Sequence, residues 1–272
     1  MAVFKNAVGI PDQDAINFIN TSGITAPTQL GAINRLVLDL KGFFNPSYAT
    51  SNIWGKMKAV YPFVGGTAES HKWNLKDPRD LDAAYRIVWS GGIVHSSTGV
   101  AFNGSTGYGS TKLIPNNNLT LYSNHISIYS RTSGSGAYDI GTYDDTRSGT
   151  SLHIFKRNGS NLFSAGNLRE YVQITNNDGR GFYLNTRTAS DALSTFKNQT
   201  LAGTNTNVCF NLQPTGVLII GATSYNAGEG TIFGYTAYEC AFSSIGDGLT
   251  NTEASNLYTA VQRFQTTLGR QV

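Results

Sequence analysis

Charge is scarce in this chain. Only 14% of its 272 residues are Asp, Glu, Lys or Arg, against about 25% in an average domain. The net charge of +3 is thinly spread, and the densest basic stretches are Lys56-Met57-Lys58 and Lys156-Arg157. Neither approaches the basic stripe that a nucleic acid partner requires. Long apolar runs are also missing. The cleanest is Val217-Leu218-Ile219-Ile220, far short of the ~20 residues of a spanning helix, so no membrane insertion is expected. Met1 to Asp14 holds no apolar h-region, and no secretory signal is expected. Cysteine is limited to Cys209 and Cys240, which excludes a disulfide scaffold. Both read as buried thiols of a chain made in a reducing compartment, with a bridge open to them only if their strands are neighbours.

Catalytic signatures are wanting as well. There is no Gly-x-Ser-x-Gly elbow, no Gly-Lys-Ser/Thr phosphate loop, and no His-x-x-x-His pair among His71, His95, His125 and His153. A retaining glycosidase needs two carboxyls about 5–5.5 Å apart, which on a strand means acids at alternate positions. No expected strand offers them: Asp144, Asp145 and Asp178 fall in expected loops, and Glu239 stands at a strand end without an acidic partner. The chain therefore reads as non-enzymatic, with no cofactor and no metal. Loop oxygens of Asp144, Asp145, Asn176, Asn177 and Asp178 could ligate calcium, but Asx turns account for them more simply.

Small polar residues are what the sequence has in plenty. Gly, Ser, Thr and Asn together make up 108 of the 272 residues, while apolar residues still reach 40% and aromatics 11%. That mixture supports a core interrupted by many tight turns, not disorder. The first sixty-odd residues carry helical spacing. Helices are expected over Pro11–Asn20, then from a Thr25 cap through Leu30, Ile33, Val37 and Leu40 to Gly42, and over Ile53–Tyr61. From Thr67 onward the period shortens to two. Expected strands include Val100–Phe102, Tyr108–Ile114, His125–Arg131, Leu152–Lys156, Tyr171–Thr175, Gly181–Thr186, Val208–Leu212, Val217–Gly221 and Thr231–Phe242. Asn103-Gly104, Asn158-Gly159 and Asp178-Gly179 punctuate them. A capping box, Thr250-Asn251-Thr252-Glu253, opens a closing helix with Ala254, Leu257, Val261 and Phe264 in its stripe.

Many short strands with turn signals and no fixed repeat indicate a mainly β jelly-roll sandwich, with a small N-terminal helical segment and a closing C-terminal helix. The expected division is an attachment segment at 1–66 and a sandwich domain at 67–272. The short N-terminal helices cannot stand alone and must pack on each other, on the main domain or on a partner; for the last case Leu40, Phe43, Phe44, Trp54 and Met57 are the candidates expected to anchor assembly. A sugar-binding loop would need an aromatic face beside amide and carboxyl groups. Tyr143 with Asp144 and Asp145, and Tyr225 with Asn226, satisfy that composition, as does Tyr122-Ser123-Asn124.

The segment Gly99-Val-Ala-Phe-Asn-Gly-Ser-Thr-Gly-Tyr108 resembles the opening strand pair of laminin-G-like and concanavalin A-like domains. Strands at Ile126–Tyr129, Gly216–Gly221 and Ala237–Phe242, followed by Leu249-Thr250-x-x-Glu253, fall in that family's order. More narrowly, Val60–Thr67, Asn74–Asp82 and Phe242–Thr250 resemble segments of structural proteins of tailed bacteriophages, including crass-like phages. That resemblance implies a virion surface protein such as a head fibre or capsid decoration protein. It also implies assembly in the host cytoplasm, a homotrimer, and contact with capsid or adaptor proteins. A receptor-binding tail protein gripping host-surface glycan is the alternative, and a glycan-cleaving enzyme ranks third.

Overall fold

The computed structural model describes residues 11–43, 52–134 and 136–272. Phe44 lies outside the described residues. Near the N-terminus come α1 (Gln13–Ser22), α2 (Pro27–Leu40) and α3 (Ile53–Lys56). Then follow β1 (Met57–Tyr61), α4 (Ala68–His71), β2 (Val88–Ser90), β3 (Ile93–Ser96), β4 (Gly99–Phe102), β5 (Tyr108–Ser110) and α5 (Pro115–Asn118). The middle of the chain holds β6 (Asn124–Ser130), β7 (Ile140–Asp144), β8 (Thr150–Phe155), β9 (Leu162–Asn167), β10 (Glu170–Thr175), β11 (Gly181–Ala189), β12 (Ala192–Lys197) and β13 (Thr200–Asn205). The last part contributes β14 (Ile219–Ile220), β15 (Thr223–Tyr225), β16 (Thr231–Phe233), β17 (Glu239–Gly246) and α6 (Asn251–Thr267).

The strands form two sheets. The eight-stranded sheet runs β13-β12-β11-β6-β17-β4-β3, with β1 continuing beside β17 where β4 stops. The nine-stranded sheet runs β10-β9-β8-β7-β14-β5-β2, with β15 and β16 added beside β7. Nearly every pairing is antiparallel, as in a jelly roll; β15 with β7 is parallel. Alternation along the strands then fixes the layers. Ile126, Ile128, Tyr183 and Ile245 of one sheet meet Ile140, Leu152, Ile154, Phe163 and Ile220 of the other in the inter-sheet core.

The alternate residues of the eight-stranded sheet point the other way, into a second core. Tyr129, Phe182, Leu184, Phe196 and Phe242 lie there under Ile33, Val37 and Leu40 of α2 and Leu257, Val261 and Phe264 of α6. The capping box of α6 forms as the sequence predicts. The Thr250 hydroxyl accepts the Glu253 amide at 3.3 Å, and Glu253 Oε2 accepts the Thr250 amide at 2.8 Å. Arg270, just past that helix, is buried and donates to the carbonyls of Phe63 (2.7 Å), Pro62 (2.6 Å) and Ala241 (3.0 Å). The chain terminus is thereby tied to the segment after β1. Desolvation, with Arg131 nearby, lowers its pKa to about 9.

Several expectations are corrected. Thr25 does not cap α2: Ala26 is the N-cap residue and makes no side-chain cap bond, the turn being set by Pro27 at the start. The helix expected over Ile53–Tyr61 ends at Lys56, and Met57–Tyr61 is a strand. Its register, Tyr61 opposite Ser243 and Met57 opposite Gly246, completes an edge of β17 that would otherwise stay unpaired. Val208–Leu212 is a loop crossing, held by Cys209 N–H to Ser190 O and Phe210 N–H to Leu168 O. Cys209 and Cys240 are both buried free thiols.

The boundary expected at residue 66 cuts through shared structure, because β1 is a sheet strand and a single core joins residues from Ala15 to Phe264. Leu40, Trp54 and Met57, expected to anchor assembly, are 0%, 6% and 2% exposed in that core. Their apolar surface covers the protein's own sheet and is not available to a neighbour. Phe43 differs, at 73% exposed.

Candidate binding site

With one outer face under helices, the outer face of the nine-stranded sheet becomes the place to look. The parallel pairing of β15 with β7 sets Tyr225 opposite Tyr143. Two clusters some eighty residues apart in the chain thereby become neighbours. Their rings lie 5.7 Å apart and nearly parallel, at 12°. Asp145, exposed just past β7, accepts the Tyr225 hydroxyl at Oδ2 (2.7 Å) and the Tyr143 hydroxyl at Oδ1 (3.3 Å). Asn226 completes the set: its Oδ1 accepts the Asp145 amide at 2.8 Å, and its own amide donates to Tyr143 O at 2.8 Å.

The carboxylate leaves its mark on both phenols. Hydrogen bonding to Asp145, ahead of burial, raises the Tyr225 pKa. For Tyr143 burial leads and Asp145 adds to it. Each Asp145 oxygen accepts one of the two phenol hydroxyls and has capacity for a further donor. Such an arrangement can receive a hydroxyl-bearing ring: the C–H face against tyrosine, the hydroxyls on Asp145 and the side-chain nitrogen of Asn226.

Asp144 does not belong to this set. It is fully buried, and both carboxylate oxygens are engaged within the chain. Oδ1 accepts the Thr146 hydroxyl at 2.6 Å, and Oδ2 accepts the Thr215 hydroxyl at 2.5 Å and the Thr215 amide at 2.9 Å. Burial works to raise its pKa, yet those hydrogen bonds hold it below the ordinary carboxylate value. Asp144 also ends a strand, not a loop, so the expected pair of adjacent loop acids separates into one structural and one exposed group.

A further group of aromatics continues from this pair. Phe233 meets Tyr225 at 5.8 Å and Tyr138 at 5.6 Å. Tyr138 lies 4.0 Å from Phe155 and 5.3 Å from His153, and His153 lies 5.8 Å from Tyr171. Period-two alternation signals part of this. With Leu152 and Ile154 in the core, His153 and Phe155 must face outward, as must Tyr171 beside buried Val172. Tyr138 and Phe233 enter from loop and edge segments and carry no such signal. Glycines make room for the imidazole: a Cβ on Gly166 would stand 2.3 Å from His153 Cε1, and one on Gly141 2.9 Å from His153 Cβ.

Elsewhere three glutamates are paired with cations. Glu239 pairs with Arg131 at 2.9 Å, Glu253 with Lys56 at 2.6 Å, and Glu229 with Lys112. Among the described residues no group of three or more His, Cys, Asp or Glu could hold a metal ion, and no helix is long and apolar enough to cross a membrane. His71 and His95, far apart in sequence, meet with Nδ1 atoms 3.1 Å apart. Because His71 Nε2 accepts the Gly66 amide, His71 Nδ1 carries the proton and donates to His95. Tyr122-Ser123-Asn124 is diverted to structural bonds, with Ser123 accepting the Gly248 amide and Asn124 donating to Thr120 O.

No protein-family model matches the chain, and no curated protein matches it. Several solved structures are similar in overall form. One is domain 4 of AbnA, an extracellular GH43 arabinanase from Geobacillus stearothermophilus solved with arabinotriose. It shows 12% identity and a TM-score of 0.44, over 74% of this chain and 98% of that one. Another is the botulinum neurotoxin serotype D binding domain, at 12% identity and TM-score 0.45, covering 76% of this chain. The chain spans about half of that domain, 52%. A third is the CBM40 of the Ruminococcus gnavus IT-sialidase, at 12% identity and TM-score 0.35, over 52% of this chain and 83% of that one. These likenesses are of sandwich form and say nothing of what this chain binds.

Proposed function

We propose that this protein is a non-enzymatic binding module that takes a glycan on the outer face of its nine-stranded sheet. One observation carries the reading: the parallel Tyr143–Tyr225 pair, with Asp145 and Asn226 at its edge, in a chain whose other outer sheet face is closed by helices. Stacking faces beside hydroxyl acceptors are the chemistry of sugar recognition. A non-enzymatic role is supported by the engagement of Glu239, Glu229 and Glu253 with cations and of Asp144 with threonines. The sequence resemblance to tailed-phage structural proteins supports a virion location and a receptor-binding role there. The homotrimer and the capsid or adaptor partners rest on that resemblance alone.

A glycan array probed with the intact chain tests the reading. Binding that Tyr225→Ala and Asp145→Ala each abolish, with melting temperature unchanged, is the expected result. Binding indifferent to both variants would place the site elsewhere. Release of reducing ends from a bound glycan would overturn the non-enzymatic part.

A further inference from the structure

Tyr171 on β10 and Tyr225 on β15 are separated by β9, β8 and β7. Four strand spacings of about 4.8 Å therefore set them roughly 19 Å apart across the sheet. Between them the rings are linked by contacts, each centroid within 5.8 Å of the next, from Tyr225 through Phe233 and Tyr138 to the buried His153 and on to Tyr171. The series is exposed most at Tyr171, 42%, and Phe233, 37%. These are large apolar surfaces that folding leaves in water, while equivalent rings on the other sheet are covered. His153, beneath the run, is 4% exposed, and its Nδ1 has no hydrogen-bond partner.

We infer that the ligand is an oligosaccharide several units long, uncharged near Asp145, laid across the strands from the Tyr143–Tyr225 pair to Tyr171. This rests on the glycan reading above and deepens it. A terminal monosaccharide would use only the Tyr143–Tyr225 end and leave Tyr171 and Phe233 without a role. An acidic sugar would meet Asp145, whose oxygens already serve as acceptors and favour hydroxyl donors. A single-stranded nucleic acid also stacks on aromatic rows, but that mode needs a basic groove along the backbone, and Asp145 stands at the head of this row.

Calorimetric titration of the intact chain with three homologous series decides the matter: glucose to maltoheptaose, glucose to cellohexaose, and xylose to xylohexaose. In the series that binds, affinity should rise by roughly threefold to tenfold from the shortest to the longest member, a gain that one added stacking contact supplies. Tyr171→Ala should return the longest member to the affinity of the shortest and leave the shortest unchanged. Tyr225→Ala should weaken both. Equal affinity for short and long members, with Tyr225→Ala still abolishing binding, would sink the extended ligand and leave the glycan site standing. Loss through Tyr171→Ala with indifference to Tyr225→Ala would sink the Tyr143–Tyr225 site itself. Silence from all three series, or tighter binding of an oligogalacturonate or an oligothymidylate, would overturn the inference. Thermal melting of each variant separates lost contact from lost fold.

Discussion

The two sheets carry aromatic side chains on both outer faces and treat them oppositely. On the eight-stranded sheet, Tyr129, Phe182, Phe196 and Phe242 are all 2% exposed or less, because α2 and α6 lie across them. On the nine-stranded sheet, Tyr171 and Phe233 stand 42% and 37% exposed, with Tyr143, Tyr225, Tyr138 and Phe155 partly so. Burying an aromatic side chain against the core is worth roughly 1.5–3 kcal/mol. The first face converts its rings into stability, and the second keeps them in water. The second arrangement adds little to stability, and it is where the proposed glycan site lies.

The harshest way to test this contrast is to remove the cover. Deleting residues 1–66 takes away α1, α2 and β1, exposing the second core and leaving the end of β17 unpaired. The truncated chain is expected to lose its cooperative transition and to bind a hydrophobic dye. A sharp thermal transition from residues 67–272 would restore the two-part division that the sequence suggests.

Acid should come next in size. Burial, then His95 and Arg270, lowers His71 to about 3, and burial lowers His125 and His153 to about 4. In the unfolded chain these histidines titrate near pH 6.5. Below that the unfolded state binds more protons than the folded one, so stability rises with pH across the window. The contribution is complete above about pH 6.5 and is lost as pH falls toward 4, by up to about 1.4 kcal/mol per pH unit for each histidine. Urea midpoints between pH 7 and 4 should fall steadily, and His125→Asn should flatten the slope. A flat profile in the parent chain would mean that these imidazoles are not held neutral.

Single substitutions sharpen the comparison. Leu40→Asp puts an unpaired charge under the covered face and should cost several kcal/mol in one concerted transition, read by denaturant melting. Oligomeric state should not change, since Leu40 serves the intramolecular core. Thr250→Ala removes the cap of the covering helix and should cost about 1 kcal/mol by the same measurement. The mildest case is on the bare face. Tyr171→Ala should change stability by no more than about 0.5 kcal/mol, although the same replacement at Phe182 or Phe242 should cost about 3–5 kcal/mol. Equal costs on both faces would erase the distinction drawn here.

Much of this was legible in one dimension. Alternation marked Leu152–Lys156 and Tyr171–Thr175, Thr250 and Glu253 marked the closing helix, and the composition of Tyr143–Asp145 and Tyr225–Asn226 marked the candidate site. The sequence alone therefore determined the class of fold and the final helix, and it marked the residue types of the candidate site, because these depend on residue type and local spacing. Tertiary structure decided the rest. Met57–Tyr61 carries helical spacing yet becomes a strand, since β17 offers it hydrogen bonds that a short helix cannot match. Asp144 and Asp145 are alike in sequence, and only the approach of Thr215 makes one structural while Tyr225 draws the other into the candidate site. Whether an apolar stripe faces a neighbour or the protein's own sheet is likewise invisible in its spacing. That choice was made by α2 and α6 meeting over Phe182 and Phe242, a contact between segments some two hundred residues apart, which no local pattern encodes.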